Sequence, residues 1–426
     1  MYRWILLCLI LGVVPFSTVL QASERKLVIL TTFSREPLLP LVEEFNRRYK
    51  NVEVQIIHRR SQSSVQLLNR SYINNIDLVL SSSPYLMQHL AQSGKLAILP
   101  KYMQTPDWFK PYALPNSEQV AVIGYSGAGL MWNQDYLDIH NLPTPREFID
   151  LVDPVYFGHI TMSTPARSGT TQMMLESLVA KYGWNQSWDI FLRVGANLAT
   201  ASARSFAVSA HIANGQFGIG PTIDSYALIW ERKLDHISFI YDESFTLMPT
   251  YVAQVKKIGN DKYAKAFIDL LMSLSVQNSM ENNDFAKHRI QDKSLFNSNF
   301  TQLSMPQIMK REEIINALFD LAITKQIPQL KDIMFGLLEM KLQFSDQPLI
   351  LEKIAKIESA VFRIPISEEE VNQFARRLLR TSDSEELQAE QSILLVEKKH
   401  EWQKRLEKQL EEANQQLKYL LAEVVK

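Results

Sequence analysis

Lys26-Leu27-Val28-Ile29-Leu30-Thr31-Thr32-Phe33-Ser34 opens the alternation that decides the fold. An apolar, strand-like run ends in hydroxyls, and the next segment, Pro37 to Tyr49, sets Leu38, Leu41, Val42, Phe45 and Tyr49 on one helical face. Val52 to Ile57 is strand-like again, which makes a βαβ unit. A helical stretch carrying Val65, Leu67 and Leu68 and a buried strand from Ile76 to Leu80 extend it to a parallel sheet. In open α/β sheets ligands sit beyond the carboxyl ends of the strands. Those ends read Thr31-Thr32-Phe33-Ser34 and Ser81-Ser82-Ser83-Pro84. Hydroxyls in such loops cap helices, but two such loops on one sheet edge favour a polar ligand site.

The chain has 426 residues, 46% of them apolar and 10% aromatic, enough for a large packed core and incompatible with a disordered or collagen-like protein. With 45 basic and 46 acidic side chains, no bulk field argues for nucleic acid or anionic lipid, so a bound anion needs a local site. The single cysteine, Cys8, excludes intramolecular disulfides and thiolate metal clusters. It lies in an apolar stretch from Trp4 to Phe16, which follows Arg3 and leads to Leu20-Gln21-Ala22. This reads as a signal peptide, residues 1–22, cleaved near Ala22. The run is short for a membrane anchor of about 20 residues. Cys8 sits too early to carry a lipid, so the expectation is an exported, periplasmic chain with no lipid anchor.

Val120 to Trp132 offers two short strands around Tyr125-Ser126-Gly127-Ala128-Gly129. Ala128 stands where the last glycine of a G-x-S-x-G nucleophile elbow belongs, so a hinge or ligand-contacting turn is the better reading. Ile160-Thr161-Met162 then leads through Ser163-Thr164-Pro165-Ala166-Arg167-Ser168-Gly169-Thr170-Thr171 to an apolar helix, Met173 to Tyr182. Hydroxyls and an arginine at a helix N-terminus make an anion cradle; the alternative is an ordinary cap with Arg167 on the surface. It lacks the Walker pattern, so nucleotide hydrolysis is not implied. Ser202-Ala203-Arg204-Ser205-Phe206 is a second cradle, where the fork of Arg204 suits carboxylate or phosphate; its alternative is a solvated arginine. The eight histidines show no metal-binding spacing, and Asp224, Asp242 and Glu243 define no acid/base pair. Neither an enzyme nor a cofactor or metal is expected.

These segments carry a resemblance. Asp77 to Pro84, Tyr156 to Ile160, Ser163 to Gly169, Gly183-Trp184 with Trp188, and Asn214 to Gly220, in this order, resemble the bacterial extracellular solute-binding proteins of the iron and organophosphonate type. The resemblance runs from about Lys26 to Ser275. It implies an α/β, two-lobed periplasmic binding protein fold (type II) that closes on its ligand: residues 23–119 with about 251–290 in one lobe, 120–250 in the other. Crossovers would fall near Pro115 to Ile123 and Pro249 to Val255. Matching positions place Thr32, Ser34 and Ser83 from the first lobe, with Arg167, Ser168, Thr170, Arg204, Ser205 and Asp224 from the second, around the ligand. Leu27 to Ser34, Leu80 to Pro84, Ala203 to Phe206 and Gly220 to Tyr226 are most similar to a phosphoglycerate-sensing branch. That implies a phosphoglycerate-like anion as ligand and an inner-membrane sensor kinase or permease complex as partner. The other implied role is transport of an organophosphonate or ferric iron. Iron-binding relatives carry adjacent tyrosines where Tyr226 stands alone here. Asp224 would repel a dianion unless it accepts a ligand hydroxyl or orients an arginine.

Beyond such a fold the chain continues as a helical extension, residues 291–426. Met309 to Leu321, Ile327 to Phe344 and the capped Ser367 to Leu379 have helical periodicity. Trp402, Leu406, Leu410, Ala413, Leu417, Leu420 and Val424 form a heptad-like seam. The extension either packs on its own lobes or offers a docking surface to a sensor or dimer partner.

Overall fold

The computed structural model describes residues 25–424 apart from 60, 70–74, 104, 116–117, 203, 258–261, 281, 283–284, 286, 294–298 and 379–384. The expected signal peptide lies outside the described residues. The first lobe is built from β1 (Arg25–Thr31), α1 (Leu39–Arg48), β2 (Val52–His58), α2 (Ser61–Asn69), β3 (Leu78–Ser81), α3 (Pro84–Gln92) and β4 (Val120–Ser126). The second holds β5 (Ala128–Asn133), α4 (Gln134–Ile139), β6 (Ile160–Ser163), α5 (Gly169–Tyr182), α6 (Trp184–Asn197), β7 (Leu198–Ser202), α7 (Ser205–Ala213), β8 (Ile219–Ile223), α8 (Asp224–Glu231) and β9 (Ile237–Tyr241). The chain then returns through β10 (Met248–Gln254), α9 (Lys262–Leu271), α10 (Leu274–Ser279) and β11 (His288–Arg289).

Two sheets result, in the orders β11-β4-β10-β3-β1-β2 and β7-β6-β8-β5-β9. β1 runs parallel to β2 and β3, while β10 lies antiparallel between β3 and β4. β1 is apolar on both sides: Leu27 and Ile29 join a core with Phe45 and Phe267, and Val28 and Leu30 join the larger core with Leu86 and Leu90. A strand covered on both faces reads as the unbroken apolar run seen in the sequence.

The segment in the second sheet is shorter at both ends than the crossovers implied by the resemblance, near Pro115 to Ile123 and Pro249 to Val255. Val120–Ser126 and Met248–Gln254 both belong to the first sheet, so the chain crosses at Gly127 and again within residues 242–247. The first crossing consumes one residue because β4 and β5 are nearly continuous extended chain. At Gly129 the neighbouring strand closes in so tightly that a Cβ would lie 1.9 Å from the Ile240 carbonyl oxygen.

The extension forms α11 (Met305–Phe319), α12 (Ile327–Gln343), α13 (Pro348–Val361), α14 (Glu368–Leu378) and α15 (Glu385–Val424). Its helices share one continuous apolar core with the second lobe. α12 packs on α6, and α11 touches α5 in one lobe and α3 in the other. Trp184 Nε1 donates to the Ile366 carbonyl at 2.8 Å, and Arg193 of α6 pairs with Glu358 of α13 at 2.9 Å. The seam from Trp402 to Leu420 is buried, because α15 lies along α12 and α13. The chain's own helices therefore use the surface that could have served docking.

Candidate ligand-binding site

The cleft holds a cavity of about 200 Å³ to which both lobes and the extension contribute. From the first lobe come Thr32 and Ser34 after β1 and Ser83 before α3; from the second come Arg167, Ser168 and Thr170 before and within α5, and Arg204 and Ser205 at the start of α7. Eight of the nine residues selected from sequence thus line one space.

Local chemistry explains why these loops converge. Ser83 caps α3, its Oγ accepting from Leu86 N at 3.2 Å, and Ser168 caps the 14-residue α5 by accepting from Thr171 N at 3.2 Å. Ser168 and Ser205 share a hydroxyl–hydroxyl hydrogen bond, which brings the N-termini of α5 and α7 together. Thr32 Oγ1 is 2.8 Å from Ser81 Oγ, tying the ends of β1 and β3. Amide-rich helix ends backed by hydroxyls favour negative charge between them.

Three cations line the cavity. Arg167 is exposed at the mouth. Arg204 reaches across the cleft, its Nη1 3.1 Å from Nε2 of His58 at the end of β2, and its guanidinium lies 5.8 Å from the Phe206 ring centroid. Burial, and then the charge of Arg204, push His58 below the usual imidazole range, so its neutral ring accepts from the guanidinium. Lys287 is buried; its ammonium donates to Ser126 Oγ at 2.8 Å and Ser225 Oγ at 3.0 Å and sits 5.4 Å from the Phe33 ring centroid. Burial lowers Lys287 to about 8, and Asp224 opposes the shift. Sequence reading missed both His58 and Lys287: neither lies in a motif, and the segment around Lys287 reaches the cleft only because β11 pairs with β4.

Asp224 is the exception among the nine. It is 0% exposed and does not line the cavity. Its Oδ2 accepts from Gly127 N at 2.7 Å, from the Tyr241 hydroxyl at 3.3 Å and lies 3.1 Å from His288 Nε2. Asp224 N in turn donates to the Gly127 carbonyl at 3.0 Å. These Oδ2 hydrogen bonds go to the crossover residue Gly127, to Tyr241 and to His288, not to an arginine. The negative charge of Asp224, the difficulty raised by the sequence for an anion site, acts on the buried Lys287 ammonium.

Comparison with known proteins agrees with this architecture. Residues 74–305 match the family described as bacterial extracellular solute-binding protein. The phosphoglycerate transport regulatory protein of Salmonella typhimurium is 34% identical over 321 residues, 73% of this chain and 80% of that one. Among solved structures, a periplasmic binding protein from Actinobacillus pleuropneumoniae with fructose-6-phosphate bound superposes with a TM-score of 0.60 at 18% identity, over 70% of this chain and 98% of its own. Iron-bound HitA from Pseudomonas aeruginosa gives 0.56 at 14%, over 68% and 98%. At those identities the likeness is one of fold. Family match, curated relative and fold together place the chain: it belongs to the bacterial extracellular solute-binding proteins, as a periplasmic, two-lobed, non-catalytic member with a C-terminal helical extension.

Proposed function

We propose that this protein captures a small phosphorylated organic anion between its lobes and presents the closed form to a membrane partner. The observation that carries the reading is the convergence of Arg167, Arg204 and Lys287 with the hydroxyls of Ser34, Ser83, Ser168 and Thr170 on one cavity. Guanidinium forks and helix N-termini suit phosphate and carboxylate oxygens, and a cavity of about 200 Å³ suits a solute of a few carbons rather than a long chain. The same three cations weigh against ferric iron, which needs anionic ligands. The Salmonella relative supports phosphoglycerate as the solute and transport regulation as the output. An inner-membrane sensor kinase would then be the partner; a permease complex importing an organophosphonate is the second reading, because membership of the solute-binding family fits either output.

Calorimetric titration of the purified protein with 2- and 3-phosphoglycerate, an alkylphosphonate and ferric citrate tests the ligand class. Saturable binding of a phosphorylated compound supports the reading, and binding of iron alone would overturn it. Deleting the gene and following phosphoglycerate-induced transporter expression separates sensing from import: a sensor's loss abolishes induction, whereas an import receptor's loss leaves it intact.

A further inference from the structure

The family match ends at residue 305, the first residue of α11, yet α11 reaches into the cleft. Glu312 and Asn316 are four residues apart on this helix and so share a face, and both line the cavity that holds the three cations. The helix is fixed in place one residue earlier. Arg311 donates to Glu176 of α5 at 2.6 Å and to Glu368 of α14 at 2.6 Å, anchoring α11 to the second lobe. On the first-lobe side it lies over Tyr85 of α3, whose phenol is pushed up by burial and then by the charges of Glu312 and Glu313.

Asn316 is 4% exposed, and its Oδ1 has no hydrogen-bond partner among the described residues. An unpaired buried acceptor keeps the full cost of its lost hydration, so a donor from the solute is favoured there. Glu312 beside it is half-buried, and burial, with Glu176 and Glu313 adding to it, lifts its carboxyl to about 8. A neutral carboxyl with one donor and one acceptor oxygen matches an alcohol, which also donates and accepts. A second phosphate would offer acceptors only.

We propose that Glu312 and Asn316 are specificity-determining residues that bind a hydroxyl group of the solute, so that the cleft selects a phosphate monoester bearing an alcohol over inorganic phosphate or a deoxy analogue. The inference rests on the anion reading above and adds a role for the extension: it supplies the wall that reads the end of the solute away from the phosphate.

The test compares 3-phosphoglycerate, 3-phosphooxypropionate, which lacks the alcohol, and inorganic phosphate by calorimetry on the full chain, on Asn316→Leu and on Glu312→Leu. The intact protein is expected to prefer 3-phosphoglycerate over the deoxy analogue by at least about tenfold, because a site with buried polar groups rejects an analogue that leaves them unpaired. Each variant should bring the two within about threefold of each other by weakening the hydroxylated ligand alone. Glu312→Gln, which keeps a donor and an acceptor, should keep the preference. Equal loss for both ligands in both leucine variants would reduce these residues to structural wall and overturn the proposal. If the leucine variants do not fold, the intact protein still decides, since binding both ligands without discrimination overturns it. No binding of any of the three would bring down the anion reading and this proposal together.

Discussion

Arg311 of α11 and Glu176 of α5, 135 residues apart in sequence, form a bidentate pair in the protein interior, with Nη2 2.6 Å from Oε2 and Nε 3.3 Å from Oε1. Their side chains are 4% and 0% exposed. The pair fastens α11, the helix that walls the cleft, to the second lobe.

Breaking one half of it is expected to be costly. Arg311→Ala leaves Glu176 buried and uncompensated, a loss of about 3–5 kcal/mol. Arg311→Met with Glu176→Leu removes both charges and should recover most of that loss. Urea denaturation of the two variants checks this. A single variant as stable as the parent would mean that water reaches the pair.

Arg167→Ala and Arg204→Ala are each expected to weaken binding of the phosphorylated ligand without unfolding the protein. Loss of a desolvated charge partner costs on the order of 2–5 kcal/mol. Arg204 should show the upper part of that range, because it already crosses the cleft to His58 while Arg167 is exposed. Arg204→Lys should rescue poorly, since an ammonium lacks the planar fork. Calorimetry with circular dichroism as the folding control measures both parts.

Affinity should fall as pH rises through the alkaline range. Lys287, with burial holding it at about 8, carries its charge below that pH and loses it above, while Glu312, also raised to about 8 by burial, gains a negative charge over the same interval. Both changes disfavour an anion, so the sign is the same for each. Between pH 7 and pH 9 one such group weakens binding about tenfold by linkage. Lys287→Arg combined with Glu312→Gln should bind with a flat profile over that window. A wild-type affinity constant from pH 7 to 9 would show that neither group titrates against the ligand.

Truncation after Ile366 removes α14 and α15 and with them Glu368, which holds Arg311, and the seam that packs on α12 and α13. The shortened chain should melt lower and expose apolar surface, measured by calorimetry and dye binding. Trp402→Ala alone should cost about 3–5 kcal/mol, because its ring is buried and its Nε1 donates to Glu370 at 2.6 Å. An unchanged melting temperature for the truncation would return the seam to the role of a docking surface.

The sequence by itself determined the alternation of strands and helices, the hydroxyl-rich loops at the strand ends, and the two arginines set at helix starts. These are local properties: the period of apolar residues and the composition of a turn are fixed by neighbours in the chain. It also determined that the extension is helical, but not where it lies. Tertiary structure alone decided that Asp224 bonds to the crossover at Gly127 and stays out of the cavity lining, that β11 carries Lys287 into the cleft, and that α11 brings Glu312 and Asn316 to the same cavity. Each of these depends on segments tens to hundreds of residues apart being paired by burial. A seam such as Trp402 to Leu420 reads the same in sequence whether its partner is another chain or its own α12 and α13. Here the apolar surface of α12 and α13 is near enough in the folded chain to cover it, and no second molecule is required.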